Sequence, residues 1–175
     1  MDCVGLSHYR RFFRNERYPG DMSRLDLERI TEIFDRGYDM ILTEKAHLWA
    51  SRAEIITHDV GPELFIKAVQ ILFRLMQATH PEYLGALSEI LFKDRMYCCN
   101  MFVTRKEILD RYCEWLFPFI CDAADLLNVS GGTERQKRTM GFFAETMMTV
   151  WLQRQDYRIC SLPIIMPEGE VKPAI

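Results

Sequence analysis

Two short apolar runs, Val4-Gly5-Leu6 and Tyr38-Asp39-Met40-Ile41-Leu42, flank one amphipathic stretch near the start of the chain. The stretch between them starts at Ser23, a residue suited to capping a helix, and carries Leu25, Ile30, Ile33 and Phe34 at helical spacing. Gly37 then closes it, as glycine does at a helix end. Strand, helix and strand in such quick succession predict a βαβ unit with parallel pairing, and hence an α/β fold. The first run reads as the end of a buried strand. It breaks at once into His8-Tyr9-Arg10-Arg11-Phe12-Phe13. In an open α/β sheet, ligands bind at the carboxyl ends of strands. Guanidinium is also the side chain best shaped to grip phosphate with two hydrogen bonds. Two readings of the run stand side by side. One is a phosphate-facing strand end, with the two Phe turning back into the core. The other is a solvated loop face made by Arg10, Arg11 and Arg14.

Composition narrows the class. With 49% hydrophobic and 27% charged residues the chain is globular rather than disordered. A net charge of −3 gives no basic field for nucleic acid. No apolar run reaches the ~18 residues of a membrane span. Met1 leads almost directly into the first strand, with no basic region and no apolar core of a signal peptide. The cysteines, Cys3, Cys98, Cys99, Cys113, Cys121 and Cys160, have neither metal-ligand spacing nor the density of a disulfide scaffold. A reducing, cytoplasmic setting is expected.

Beyond the second run, residues 44–60 give no clear assignment. Pro62 opens a helix that runs to about Thr79, and Pro81 opens another through Leu91. Met96 to Val103 reads as a third strand, apolar except for Asn100. Thr104-Arg105-Lys106-Glu107 has the form of a capping box for the next helix, which Pro118 should kink or interrupt. Gln136 to Arg154 is helical, with Phe143, Met147, Val150 and Trp151 on one face, and Tyr157 to Ile165 reads as a last strand.

Two further positions are candidates for chemistry. Asn100, near the end of its expected strand, is suited to hold a sugar hydroxyl or to satisfy a neighbouring backbone group. Glu145 stands one residue off the apolar face of its helix. It suits a base that orients or deprotonates a hydroxyl, or a structural salt bridge to Arg138 or to an arginine of the first run. The four His (His8, His47, His58, His80) lack zinc spacing. No Asp-x-Asp triplet follows an apolar run.

The run Val4-Gly5-Leu6-Ser7-His8-Tyr9-Arg10-Arg11-Phe12-Phe13 resembles the GLCHYRRYF signature of a bacterial family of capsular or exopolysaccharide glycosyltransferases. Further matching stretches follow in the same order: Tyr38 to Leu42, His80 to Tyr83, Asn100 to Val103, Tyr112 to Pro118, Gly141 to Glu145 and Val150 to Leu152. Ser7 stands where the family has Cys. Relatives extend further at the N-terminus, so the resemblance implies a partial domain over residues 1–165 and a loose tail over 166–175.

The implied fold is α/β of the GT-A-like kind: a mixed sheet flanked by helices, lacking the N-terminal strands. The implied activity is transfer of a sugar from a nucleotide-diphosphate donor, a UDP-sugar first among them, to a saccharide acceptor. The setting would be cytoplasmic, at the inner face of the membrane. Under that resemblance His8, Tyr9, Arg10 and Arg11 bind the donor diphosphate, Asn100 binds sugar and Glu145 serves the acceptor. Such enzymes commonly hold Mn or Mg on an Asp-x-Asp pair. Here no metal ligand is assigned, and guanidinium charge is expected to replace the ion. Two other readings remain open: an inactive remnant acting as an interaction module, and a carbohydrate-binding domain in which Trp49 and Tyr18 stack on sugar rings.

Overall fold

A computed structural model describes residues 2–166. Most of the expected tail, 167–175, lies outside them. In chain order the elements begin with β1 (Cys3–Leu6), β2 (Phe12–Phe13), α1 (Leu27–Asp35), β3 (Met40–Thr43) and β4 (Ala46–His47). Next come α2 (Arg52–Val60), α3 (Pro62–Thr79), a 3-10 turn at Pro81–Tyr83 and α4 (Leu84–Leu91). Then follow β5 (Arg95–Met96), β6 (Phe102–Arg105), α5 (Lys106–Leu127), α6 (Glu134–Lys137), α7 (Thr139–Leu152), β7 (Ile159–Leu162) and β8 (Ile164–Ile165). The fold is mixed α/β. Among the described residues no helix is long and apolar enough to cross a membrane. The chain divides into two compact units. Among the described residues, one takes 2–46, 97–109 and 156–166; the other takes 47–96 and 110–155.

The first unit is built on a four-stranded sheet in the order β1-β6-β3-β7. All four residues of β3 are buried, which suits a strand with neighbours on both sides and apolar residues at three of its four positions. Ile33 and Phe34 of α1 join Phe13, Ile41, Met101, Val103 and Leu162 in one core cluster. The expected parallel βαβ pair is interrupted. β6 lies between β1 and β3 and is antiparallel to both, while β7 is the parallel neighbour of β3. Nor is β1 buried: it pairs with β6 as an edge strand and Leu6 keeps 49% of its surface.

Several local signals resolve differently from their sequence pattern. Asp26, not Ser23, caps α1, accepting from the Arg29 amide at 2.8 Å. Gly37 does close that helix with a φ of +81°, and a Cβ there would sit 2.7 Å from Arg158 Nη1. Thr104 is no cap. It is buried in β6 and donates its hydroxyl to the Asp39 carbonyl at 3.1 Å, so the following helix begins at Lys106. The expected strand from Met96 to Val103 is two, β5 and β6, divided by a turn at Cys99 and Asn100. The last expected strand is likewise two, β7 and β8, divided at Pro163.

The second unit is helical through most of its length. Helix α7 buries residues on every side, among them Met140, Phe143, Met147, Val150 and Trp151. A helix that is apolar all round is an interior helix. The buried residues Ala68, Leu72 and Met76 of α3, Leu87, Ile90 and Leu91 of α4, and Trp115, Phe119 and Ala123 of α5 complete the core. Helix α5 continues through Pro118. Buried Trp115 and Leu116 before the proline, with Phe119 and Ile120 after it, offset its missing amide. The unassigned stretch 44–60 holds α2, started by a capping box in which Ser51 and Glu54 exchange side-chain to backbone bonds.

Candidate functional site

Strand directions follow from the pairings. β1 and β3 run the same way because each is antiparallel to β6, and β7 runs with β3. Leu6, Phe102, Leu42 and Ser161 form one row across the sheet. Just past that row, at one sheet end, lie the His8–Arg11 turn, Glu44 and Lys45, Pro163, and the chain entering β6 through Cys99 and Asn100. Three carboxyl strand ends therefore meet there, which is where open α/β sheets hold ligands. The Glu44 amide donates to the Leu162 carbonyl at 3.0 Å and the Thr43 hydroxyl to the Cys98 carbonyl at 3.5 Å, tying this end together.

The His8–Arg11 segment is a tight turn. The Arg11 amide donates to the His8 carbonyl at 3.3 Å and the Ser7 hydroxyl to the Arg11 carbonyl at 3.3 Å. The Arg10 amide donates to His8 Nδ1 at 3.1 Å, which puts the proton of a neutral imidazole on Nε2. The His8 ring stacks on Tyr9 with centroids 4.6 Å apart, and the Arg10 guanidinium lies 5.0 Å from the Tyr9 centroid. Tyr9 and Arg10 are exposed. Among the described residues neither Arg10 nor Arg11 forms an ion pair. Arg14 is different: its guanidinium pairs with Glu16 and contacts the Met22 sulfur at 3.6 Å. The arginine group of the sequence thus divides into an anchored Arg14 and two cations at the sheet end.

Asn100 occupies an exposed turn rather than a strand interior. Cys99 and Asn100 both adopt left-handed backbone, with φ of +74° and +49°. Asparagine tolerates that region, whereas for Cys99 it costs about 1–2 kcal/mol. Strain of this kind clusters at functional sites. Beside it Tyr97 hydrogen-bonds Ser161, and Lys45 Nζ lies 5.1 Å from the Tyr97 centroid. Partial burial pushes the Tyr97 phenol up, so it stays protonated at neutral pH.

Glu145 belongs to the other unit. It pairs there with Arg52 at 2.8 Å. Arg52 is buried, and also donates to the Phe142 carbonyl at 2.7 Å and the Thr146 hydroxyl at 3.1 Å. This is a contact that holds α2 to α7.

Among the described residues no three His, Cys, Asp or Glu side chains gather as a metal site. Glu44 is the one carboxylate in the set of residues named at the sheet end, so these residues do not fit a chelated divalent cation.

Lys45, Tyr97 and Arg52 escaped the sequence reading. Thr43-Glu44-Lys45, directly after an apolar run, was a legible strand-end signal for the first. Arg52 had none, because an arginine next to a capping serine has the local pattern of a surface residue.

The segment leading from β2 into α1 is organised by two carboxylates. Asp21 accepts from the Ser23 hydroxyl at 2.6 Å, the Ser23 amide at 3.0 Å and the Arg17 amide at 3.1 Å, which holds its carboxyl below the usual range. Asp26 is lowered by the Arg29 amide and the Asn15 side chain. A depressed native value stabilises the fold above the unfolded value of about 4 and loses that contribution as pH falls through the native value. Asp21→Asn is therefore expected to be less stable than wild type at neutral pH and to show a flatter loss of stability below about pH 4. Urea midpoints measured from pH 7 to pH 2 check this. Parallel curves for the two proteins contradict it.

A family model described as a domain of unknown function, DUF4422, matches residues 1–156. The whole chain superposes on part of a solved structure described as the apo form of the bifunctional glycosyltransferase WbbM, with a TM-score of 0.71 and 22% identity. That likeness is one of fold. The chain spans 36% of that structure's length. No curated protein matches the sequence.

Proposed function

The chain belongs to the DUF4422 family, and from that membership we propose that it is the sheet-bearing part of a glycosyltransferase with a GT-A-like donor site. It would move a sugar from a nucleotide diphosphate, a UDP-sugar first among them, to a saccharide acceptor in capsular or exopolysaccharide assembly. One observation carries the reading: the sheet register brings the His8–Arg11 turn and the Cys99–Asn100 turn to the same end, past the carboxyl ends of three strands. The fold likeness to a structure described as a glycosyltransferase supports it.

In this reading Arg10 and Arg11 contact the donor diphosphate. As the bond from the anomeric carbon to the phosphate oxygen breaks, negative charge builds on the departing diphosphate. Guanidinium groups fixed there stabilise it without a metal ion. His8 and Tyr9 shape the turn and offer Nε2–H and a phenol to the donor. Asn100, exposed in its left-handed turn, holds a sugar hydroxyl.

The test is a thermal-shift and calorimetric titration with UDP, UDP-glucose and UDP-galactose, with and without Mn²⁺. Binding is expected without Mn²⁺. Loss of both cations in Arg10→Ala/Arg11→Ala is expected to weaken it by about 10²–10⁴-fold, since each charged hydrogen-bonding group contributes on the order of 1.5–3 kcal/mol. Equal binding by wild type and double mutant, or binding that depends wholly on Mn²⁺, overturns the assignment.

A further inference from the structure

The chain has three tryptophans. Trp115 and Trp151 are buried in the second unit, at 7% and 3% exposure, whereas Trp49 keeps 61% of its surface in water. An indole left out of the core forgoes one of the largest burial gains available to any side chain. Nor is Trp49 a loose loop residue. Its neighbour Leu48 is buried and donates its amide to the Asp94 carbonyl at 2.7 Å. Three residues on, the Arg52 amide donates to the Lys93 carbonyl at 3.0 Å, and Ser51 closes the capping box of α2. The backbone on both sides of the indole is thus fixed by tertiary bonds while the ring itself faces solvent.

Polar groups stand next to that ring. The His58 imidazole lies perpendicular to the indole, with centroids 5.9 Å apart. His58 Nδ1 is 3.6 Å from Asp59 Oδ1, and Asp59 in turn accepts from Arg135 Nε at 3.1 Å. These side chains belong to one unit. An open aromatic face beside an imidazole and an ion pair matches the chemistry of a sugar ring. The C–H groups on one side of a pyranose carry partial positive charge and stack on the negative face of an aromatic ring. Its hydroxyls, projecting around the rim, need donors and acceptors at the edge of that platform. A protein partner would want a broader continuous apolar patch, and the charged groups around this indole argue against one.

We propose that Trp49, with His58 at its edge, is a saccharide-stacking subsite. The bound saccharide is a neutral oligosaccharide. The binding of saccharide by this platform does not rest on the transferase reading.

The experiment uses the full chain on an array of immobilised bacterial and neutral oligosaccharides, with affinity for each hit then measured by titration. Wild type is expected to bind, Trp49→Ala to lose about tenfold or more in affinity, and Trp49→Phe to retain part of it because a ring remains. Circular dichroism and melting temperature of the three proteins show that the fold is unchanged. UDP-sugar titration of Trp49→Ala, expected to match wild type, separates the two proposals. Saccharide binding that depends on Trp49 with no UDP-sugar binding sinks the donor site and leaves the subsite standing. No oligosaccharide bound by wild type, or equal binding by wild type and Trp49→Ala, overturns the subsite whatever the nucleotide result. Capture of a nucleotide instead of a sugar at Trp49 overturns it as well.

Discussion

Phe143→Ala is expected to cost about 3–5 kcal/mol. Phe143 is fully buried on α7, and its ring stacks on Phe65 at 6.1 Å with an 18° interplanar angle. Truncation removes the transfer free energy of the ring and leaves a cavity that the surrounding helices fill only in part. Met147 and Val150, on the same helix, are also buried without measurable exposure, so α7 is packed on several sides and cannot readily shift into the gap. Against a total stability of about 5–15 kcal/mol, a loss of this size leaves the unit marginal. Hydrogen exchange of amides in 139–152, followed with and without the substitution, reads it directly. Phe143→Leu, which keeps most of the volume, is expected to cost far less. A change below about 1 kcal/mol for alanine would mean that this position is not close-packed.

Glu145→Ala is expected to cost about 2–3 kcal/mol. Removing one partner of a fully buried ion pair costs about 3–5 kcal/mol, because the other charge is left without compensation. The Arg52 side chain is 7% exposed and that of Glu145 25%, so solvent reaches the pair from the carboxylate side and reduces the loss. Arg52 keeps its bonds to the Phe142 carbonyl and the Thr146 hydroxyl, which reduces it further. The paired replacement Arg52→Met/Glu145→Leu is expected to recover much of the loss, because it removes both charges rather than orphaning one. Urea unfolding of the two single variants and the double variant gives the coupling energy. Additive effects would show that the 2.8 Å contact contributes nothing of its own. Glu145→Gln adds the functional reading. A stable variant whose sugar transfer is lost would give the carboxylate a role toward the acceptor, and a stable variant that still transfers would leave it purely structural.

The paired substitutions at Glu145 and Arg10/Arg11 separate two meanings of an unusual charge. Arg52 is a cation inside a fold, with three acceptors within 3.1 Å. Arg10 is exposed, held in place through its own backbone and the Tyr9 ring. Loss of the first should appear in unfolding curves. Loss of the second should appear in ligand titrations, with little change in stability.

Periodicity and punctuation in the sequence determined much of the local structure. Pro62 at the first turn and apolar spacing to Thr79 set α3 at both ends. Gly37 ended α1, and the run at Tyr38–Leu42 became the buried centre of the sheet. The opening turn was legible too, because two arginines after an apolar run have no place in a core. These features depend on residues within a few positions of one another. Strand order did not follow from them. That β6 lies between β1 and β3 is a pairing across about a hundred residues, set by which apolar faces meet in three dimensions. The same cause reversed Thr104, whose hydroxyl found the Asp39 carbonyl rather than a helix end. It also moved Asn100 from an expected strand into a left-handed turn, and buried Arg52 within a stretch that the local pattern left unassigned. Local pattern fixes which backbone bonds a segment can form with itself. Burial and partnership across the chain are decided only when distant segments compete for the same neighbours.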